Sequence, residues 1–427
     1  MVTVSIILLL MLLAVGVPVA FALGITGSIG LLATHGPDVL MNQLKIIPFR
    51  SAAMGSLATI PLFILMAEFI NQGGIARDMF DAANKWLGKL PAGVAIATVF
   101  SSAGFGAISG SSTAAAGTFS RAAIPEFKRL GYGMSAASGI IAVSGTLAVM
   151  IPPSVPLVMY GIITENSVGK LLLAGFMPGI MTAVVYAVGL IIWSRIDPET
   201  LPHGDTYSWE ERCQSLKKIW PFLVIAGSVI ISLYSGFATA TEIAGIGAGV
   251  ALIISLATGR MNYRQVFTAL ISTIKTFTMI MTIIIGAMVF SYFLALNKAP
   301  QELIQAIANS GASPFGILII ILGLYLVLGC FMDQIAILII TLPLTYPIIN
   351  NLGYDPIWYG VLMVKMVEIG LVTPPMGLNA YVTSGATGVP VETVFRGTGY
   401  MLLFEMVALA LLITFPQIAT WLPSFVQ

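Results

Sequence analysis

Residues Gly106 to Gly117 read GAISGSSTAAAG, a turn rich in glycine and hydroxyl side chains set inside sequence apolar enough to lie in a membrane. Backbone amides and hydroxyls persist at membrane depth only where protein buries them or where they line a cavity. The run Ser109, Gly110, Ser111, Ser112 and Thr113 therefore points to a binding site. Small residues also let helices approach closely, and that packing role is the reading for Ala114 to Gly117. A second interruption follows in AVSGTLAVMIPPSVPLVMYG, Ala142 to Gly161. There Pro152 and Pro153 remove two helical donors and push the residues before them toward an extended shape. Facing pairs of interrupted helices hold substrate and coupling ions near the bilayer midplane in secondary transporters.

The rest of the chain fits a membrane setting. Of 427 residues, 58% are hydrophobic and 9% charged, too little polar surface to cover a soluble globule of this size. A net charge of +1 with scattered lysines gives no basic face for nucleic acid. Cys213 lies in a charged loop and Cys330 in an apolar run, so no disulfide is expected. His35 and His203 sit in the connections THGP and LPHG, and neither HExxH nor a Cys/His cluster occurs, so sodium is the only metal considered. The opening run, SIILLLMLLAVGVPVAFALGITGSIGLLA, lacks a positive n-region and a cleavage site. It reads as two retained spans turning near Gly16 to Pro18.

Blocks of spanning length recur to Trp421, and those at Ala92–Ala123 and Pro314–Pro347 carry polar centres, Ser109 to Thr113 and Asp333–Gln334. Each reads as a hairpin that enters and leaves on one side. The polar interval Arg195 to Lys218 is the seam between two halves. Across it Pro152-Pro153 recurs as Pro374-Pro375, 374 minus 152 or 222 residues on, and the same shift carries Ser111 onto Asp333. Two landmarks at one offset indicate a structural repeat. Arg77, Lys85, Lys89, Arg121, Lys128 and Arg129 flank the first hairpin, whereas only Lys298 precedes the second. By the positive-inside rule the first opens from the cytoplasm and the second from outside. The expected fold is an all-α polytopic membrane protein with an inverted repeat, two re-entrant helical hairpins and two broken helices. The expected division is scaffold helices in 1–75 and 220–297, hairpins and broken helices of a transport domain in 76–194 and 298–427, and a cytoplasmic linker in 195–219.

Two cages follow from the interruptions. Hydroxyls of Ser109, Ser111, Ser112 and Thr113 and the carbonyls freed by the turn are hard oxygen ligands, completed by SGTL, Ser144 to Leu147, and the break Ile151 to Pro153. In the second half Gly329, Asp333 and Gln334 face Thr373, Pro374, Met376, Gly377 and Asn379. Asp333, the only acid between Glu302 and Asp355, needs a partner if ionised at this depth. Sodium, a hydroxyl-rich substrate, a proton or a structural lysine would each serve. Glu68, Glu242, Lys365 and Glu368 are read as charges at helix ends and interdomain contacts. Arg50, in IPFRSAAMG, has the chemistry to clamp a substrate carboxylate, and a membrane-interface anchor explains it equally well.

IPLFILMAEFINQGGIARDMF, FGAISGSSTAAAGTF, GTLAVMIPPSVPLVMYG, LLLAGFMPGI, GFATATEIAGIGA and EIGLVTPPMGLNAYV together resemble the large membrane subunit, DctM or SiaM type, of tripartite ATP-independent periplasmic (TRAP) transporters. The likeness runs through nearly the whole chain, with Ala240 standing where the family usually has proline. It implies an elevator-type ion transporter-like fold in the bacterial inner membrane. It also implies sodium-coupled import of an organic acid, with a small four-helix membrane subunit and a periplasmic substrate-binding protein as partners. No four-helix bundle is added before Gln427, so the small subunit is expected as a separate polypeptide. The resemblance assigns two or more sodium ions to Ser109, Ser111, Gly145 and Ile151 to Pro153, and to Gly329, Gly370 and Thr373 to Met376. It assigns substrate contacts to Ser111, Ser154 and Asp333, beside which Ser112, Thr113, Asn379 and Arg50 are candidates.

No organic cofactor is expected, and no G-x-x-x-x-G-K-[ST] is present for nucleotide hydrolysis. An intramembrane serine or aspartyl hydrolase would need a base that the serines lack. An ion channel would need continuous polarity, which here is confined to two tips and two breaks. Asp333 would repel a second carboxylate unless sodium screened it, which favours a hydroxylated monocarboxylate such as sialic acid over a C4-dicarboxylate.

Overall fold

Glycine and proline punctuate the helices. In the computed structural model, which describes residues 1–235, 238–309 and 311–425, α1 (Val2–Ala14) stops short of Gly16, whose φ of +87° reverses the chain. The next helix, α2 (Val19–Ala52), kinks at Gly36 beside Pro37, and His35 lies exposed at that kink. Then follow α3 (Thr59–Gln72) and α4 (Ile75–Leu87). The first hairpin is α5 (Gly93–Ser109) and α6 (Ser112–Arg129). The first broken helix is α7 (Met134–Ser144), α8 (Leu147–Met150) and α9 (Val155–Thr164), bent by 42° at its break. The long span α10 (Val168–Ile196) closes the first half.

The seam holds a short helix, α11 (Trp209–Lys218), started by a capping box between Ser208 and Glu211. The second half repeats the order. It runs through α12 (Trp220–Ser235), α13 (Ala240–Ala257), α14 (Tyr263–Leu296) and α15 (Ala299–Asn309). The second hairpin, α16 (Pro314–Gly329) and α17 (Gln334–Asn351), is followed by the second broken helix, α18 (Pro356–Gly370) and α19 (Leu378–Thr387), then by α20 (Val391–Thr414). Residues Gly236 and Phe237 of the GFATATEIA stretch lie outside the described residues. Starts of matching helices keep one shift: Ser112 to Gln334 and Met134 to Pro356 are each 222 residues, and Val168 to Val391 is 223. The repeat inferred from two landmarks therefore extends along both halves.

Hairpin arms of 16 to 18 residues rise about 24 to 27 Å at 1.5 Å per residue, short of the roughly 30 Å hydrocarbon core. Both feet of the first hairpin rest on the central loop. Arg129 pairs with Glu126 and with Asp205, and Asn84 of α4 donates to Glu126 at 3.0 Å. Just beyond α6, the Gly133 N–H donates to the Thr200 carbonyl, while Gly88, just before α5, packs against Gly204. The second hairpin's feet meet at the opposite end of α10: Ile317, Ile348 and Leu352 line one small cavity, and Asp355 shares another with Lys170. With 29 residues, α10 is about 43 Å long, so the hairpins enter from opposite faces. The halves are inverted, as the charge distribution predicts.

Around the hairpins, α2 packs along α14 and α3 along α13, while α7 is laid against α20, α6 against α19 and α16 against α18. Arg260, after α13, pairs with Asp78 of α4, which gathers the basic loops on the central-loop face. Seven described helices are long and apolar enough to cross a membrane, or nine if each bent pair is one span. Three features differ from expectation. Amphipathic helices α4 and α15 follow the scaffold spans in each half, α2 runs past the apolar block that ends near Ala33 and on to Ala52, and the last long helix begins at Val391, ten residues before the apolar block from Met401 to Trp421 that marks it in the sequence.

Candidate functional site

The tip of the first hairpin is a two-residue break in which Gly110 takes φ +60° and Ser111 is extended. A Cβ at Gly110 would stand 2.4 Å from the Pro153 carbonyl oxygen, so the tip meets the first broken helix as closely as a glycine allows. Ser111 is the N-cap of α6, accepting from the Ala114 N–H at 3.4 Å, and its hydroxyl lies 3.2 Å from that of Thr113. A Cβ at Gly145 would stand 2.8 Å from the Ser112 carbonyl oxygen. Outside the helices, no backbone N–H donates to the carbonyls of Ile151, Pro152 or Pro153 among the described residues. Those three oxygens, and the buried and unpartnered hydroxyls of Ser109 and Ser144 on the two facing segments, are uncommitted hard donors. Such donors suit an alkali cation. Sodium therefore fits the residues present.

The second half repeats this arrangement. Cβ atoms at Gly329 and Gly370 would stand 2.8 and 2.5 Å from the opposing glycine Cα, so α16 and α18 cross at backbone contact. The Met376 N–H donates to the Cys330 carbonyl at 3.2 Å, tying the break to the hairpin tip. The Thr373 hydroxyl donates to the Ile369 carbonyl at 2.6 Å. Asp333 is the N-cap of α17 and accepts from the Ile335 N–H at 3.1 Å, the role Ser111 has in the first half. Asn379 is fully buried, and both polar atoms of its amide lack a protein partner. A buried amide in that state awaits a water or ligand.

The halves differ in access. Ile151, Pro152, Pro153 and Ser154 are all buried, whereas Pro374, Pro375 and Met376 are exposed. Three of the substrate candidates sit in other settings. Ser112 is fully buried and donates its hydroxyl to Glu368 Oε1 at 3.3 Å. Ser154 is likewise buried and caps α9, accepting from the Leu157 N–H. Arg50 is exposed at the end of α2, a helix that packs on α1 and α14, with no hydrogen bond or ion pair among the described residues. The interface-anchor reading fits it. Ser111, Thr113 and Asp333 remain partly exposed at the tips.

The largest departure concerns charges read as helix ends. Lys365 and Glu368 of α18 and Glu405 of α20 are 1%, 0% and 0% exposed. Lys365 forms an ion pair with Glu405, donates to Thr182 Oγ1 at 3.2 Å and lies 5.9 Å from the centre of the Tyr186 ring. The Thr146 hydroxyl, one residue past Gly145, shares its proton between the Val143 carbonyl at 2.7 Å and Glu405 Oε1 at 3.2 Å. Glu368 lies within electrostatic reach of Asp333, Glu405 and Lys365, and its bond from Ser112 joins the first hairpin to α18. The sequence signal was an ionisable residue inside an apolar span. Glu368 stands only five residues before the Thr373-Pro374 break, which made it look terminal.

Residues 6–418 match the family described as "Tripartite ATP-independent periplasmic transporter, DctM component". The chain is 35% identical over 406 residues to the C4-dicarboxylate TRAP transporter large permease protein DctM of Pseudomonas aeruginosa, covering 95% of this chain and 94% of that one. It is 30% identical over 415 residues to the sialic acid TRAP transporter large permease protein SiaM of Vibrio cholerae, covering 97% and 96%. Its fold is similar to the crystal structure of the Alcanivorax borkumensis YdaH transporter, with a TM-score of 0.66 at 12% identity over 92% of this chain and 91% of that one. These relatives are transporters rather than enzymes. Inverted halves, paired interruptions and a match along almost the full length agree: the chain belongs to the DctM family of TRAP transporter large permease subunits.

Proposed function

We propose that this subunit imports an organic acid across the bacterial inner membrane by sodium-coupled secondary transport, with a small four-helix membrane subunit and a periplasmic substrate-binding protein as partners. The observation that carries the reading is the pair of matched interruptions, capped by Ser111 and by a partly exposed Asp333, the first of which has free carbonyls and unpartnered buried hydroxyls. Two or more sodium ions at these breaks would screen Asp333 and make the site attractive to a carboxylate. Hairpins and broken helices would travel together against the α2, α3, α13 and α14 scaffold in an elevator movement.

Asp333, with Glu368 behind it, disfavours a second carboxylate. The first substrate choice is therefore a hydroxylated monocarboxylate of the sialic acid type. The P. aeruginosa relative supports a C4-dicarboxylate as the second. Liposomes containing both membrane subunits, with the binding protein outside and an inward sodium gradient, are expected to take up labelled sialic acid faster than succinate. Faster succinate uptake reverses the substrate order, and uptake that ignores the sodium gradient overturns the coupling. Asp333→Asn is expected to abolish uptake while the two subunits still copurify. Normal uptake by that variant removes Asp333 from the site.

A further inference from the structure

The buried trio in α18 and α20 carries two carboxylates and one ammonium. Lys365 is paired with Glu405 and reaches Glu368 only through space, so the trio carries one negative charge in excess when both carboxylates are ionised. One Glu368 oxygen accepts from Ser112, and the other, Oε2, has no partner in the protein. A bare carboxylate in an apolar interior is among the most unfavourable arrangements a chain can adopt, and either a proton or a metal cation relieves it. The side chain hydrogen-bonded to Glu368, Ser112, offers an oxygen. Ser112 opens the second arm of the first hairpin, one residue past its tip. A carboxylate and a hydroxyl oxygen select a hard cation, and the single excess charge selects a monovalent one.

We propose that Glu368 and Ser112 hold a sodium ion between the first hairpin and the second broken helix, distinct from the two breaks. This rests on the sodium-coupled reading above and adds a charged ligand to it. The ion would join the repeats, because Ser112 comes from the first half and Glu368 from the second. Occupancy then fixes the second arm of the first hairpin against α18. An empty site leaves a repelling carboxylate behind Asp333.

The test is equilibrium binding of radioactive sodium to the purified full-length chain in detergent at fixed pH, for wild type, Glu368→Gln and Glu368→Asp. Glutamine keeps the Ser112 hydrogen bond and removes the charge, so bound sodium is expected to fall by one ion per chain. Aspartate keeps the charge on a shorter arm, so the count is retained with weaker affinity. Sodium binding by wild type with an undiminished count in Glu368→Gln overturns this site and leaves sodium coupling standing. No binding by wild type overturns both. Should Glu368→Gln fail to fold, Ser112→Ala is read for sodium affinity, with a loss at one site expected and an unchanged isotherm contradicting the proposal.

Discussion

Lys365→Met destabilises the folded chain by about 3–5 kcal/mol, because it strands Glu405 as an unpaired charge in an apolar interior. Glu405 is fully buried, and the neighbouring Thr146 hydroxyl cannot neutralise it. Methionine fills nearly the same volume, so the loss reads charge rather than packing. The double variant Lys365→Met/Glu405→Gln recovers most of the stability. Thermal unfolding of the four proteins in the same detergent measures the coupling. Additive effects of the two substitutions would show that the ion pair contributes nothing.

Gly370→Val produces the second large loss. Its Cβ would lie 2.5 Å from the Gly329 Cα, against backbone that cannot rotate out of the way. Overpacking of this kind costs about 1–3 kcal/mol and separates the elements in contact. Here it lifts α16 off α18 and disturbs the break that begins at Leu371. Uptake is expected to fall below detection while the variant still reaches the membrane. Gly385→Ala is the control, since nothing lies within 4 Å of a Cβ there, and it keeps wild-type uptake. Transport by Gly370→Val at the wild-type rate would show that the α16–α18 crossing does not shape the site.

The interruptions were legible because proline and glycine leave little choice of backbone, and hydroxyl side chains at their edges act as caps. Ser111 and Asp333 stand out in the sequence for the same physical reason they start α6 and α17. Re-entry was legible through the length of the arms and the charges at their feet. Burial depth was not. Lys365 and Glu368 read as ordinary helix-end charges in the sequence, and only the packing of α7, α18 and α20, which joins residues far apart in sequence, shows them buried with Glu405. The amphipathic helices α4 and α15 are too polar to register as spans. Nor does a symmetric pattern of prolines predict that Pro152 and Pro153 are sealed while Pro374 and Pro375 face outward.

That difference in access makes the paired breaks testable in one experiment. With Cys213 and Cys330 replaced by serine, single cysteines are introduced at Thr113 and at Met376, beside the first and second hairpin tips. Labelling by a membrane-impermeant maleimide is then followed in open membrane fragments, in sodium and in potassium. If the two interruptions form linked cation sites, sodium slows labelling at both positions and potassium at neither. Equal labelling in the two salts at both positions would contradict the account of matched interruptions as ion sites.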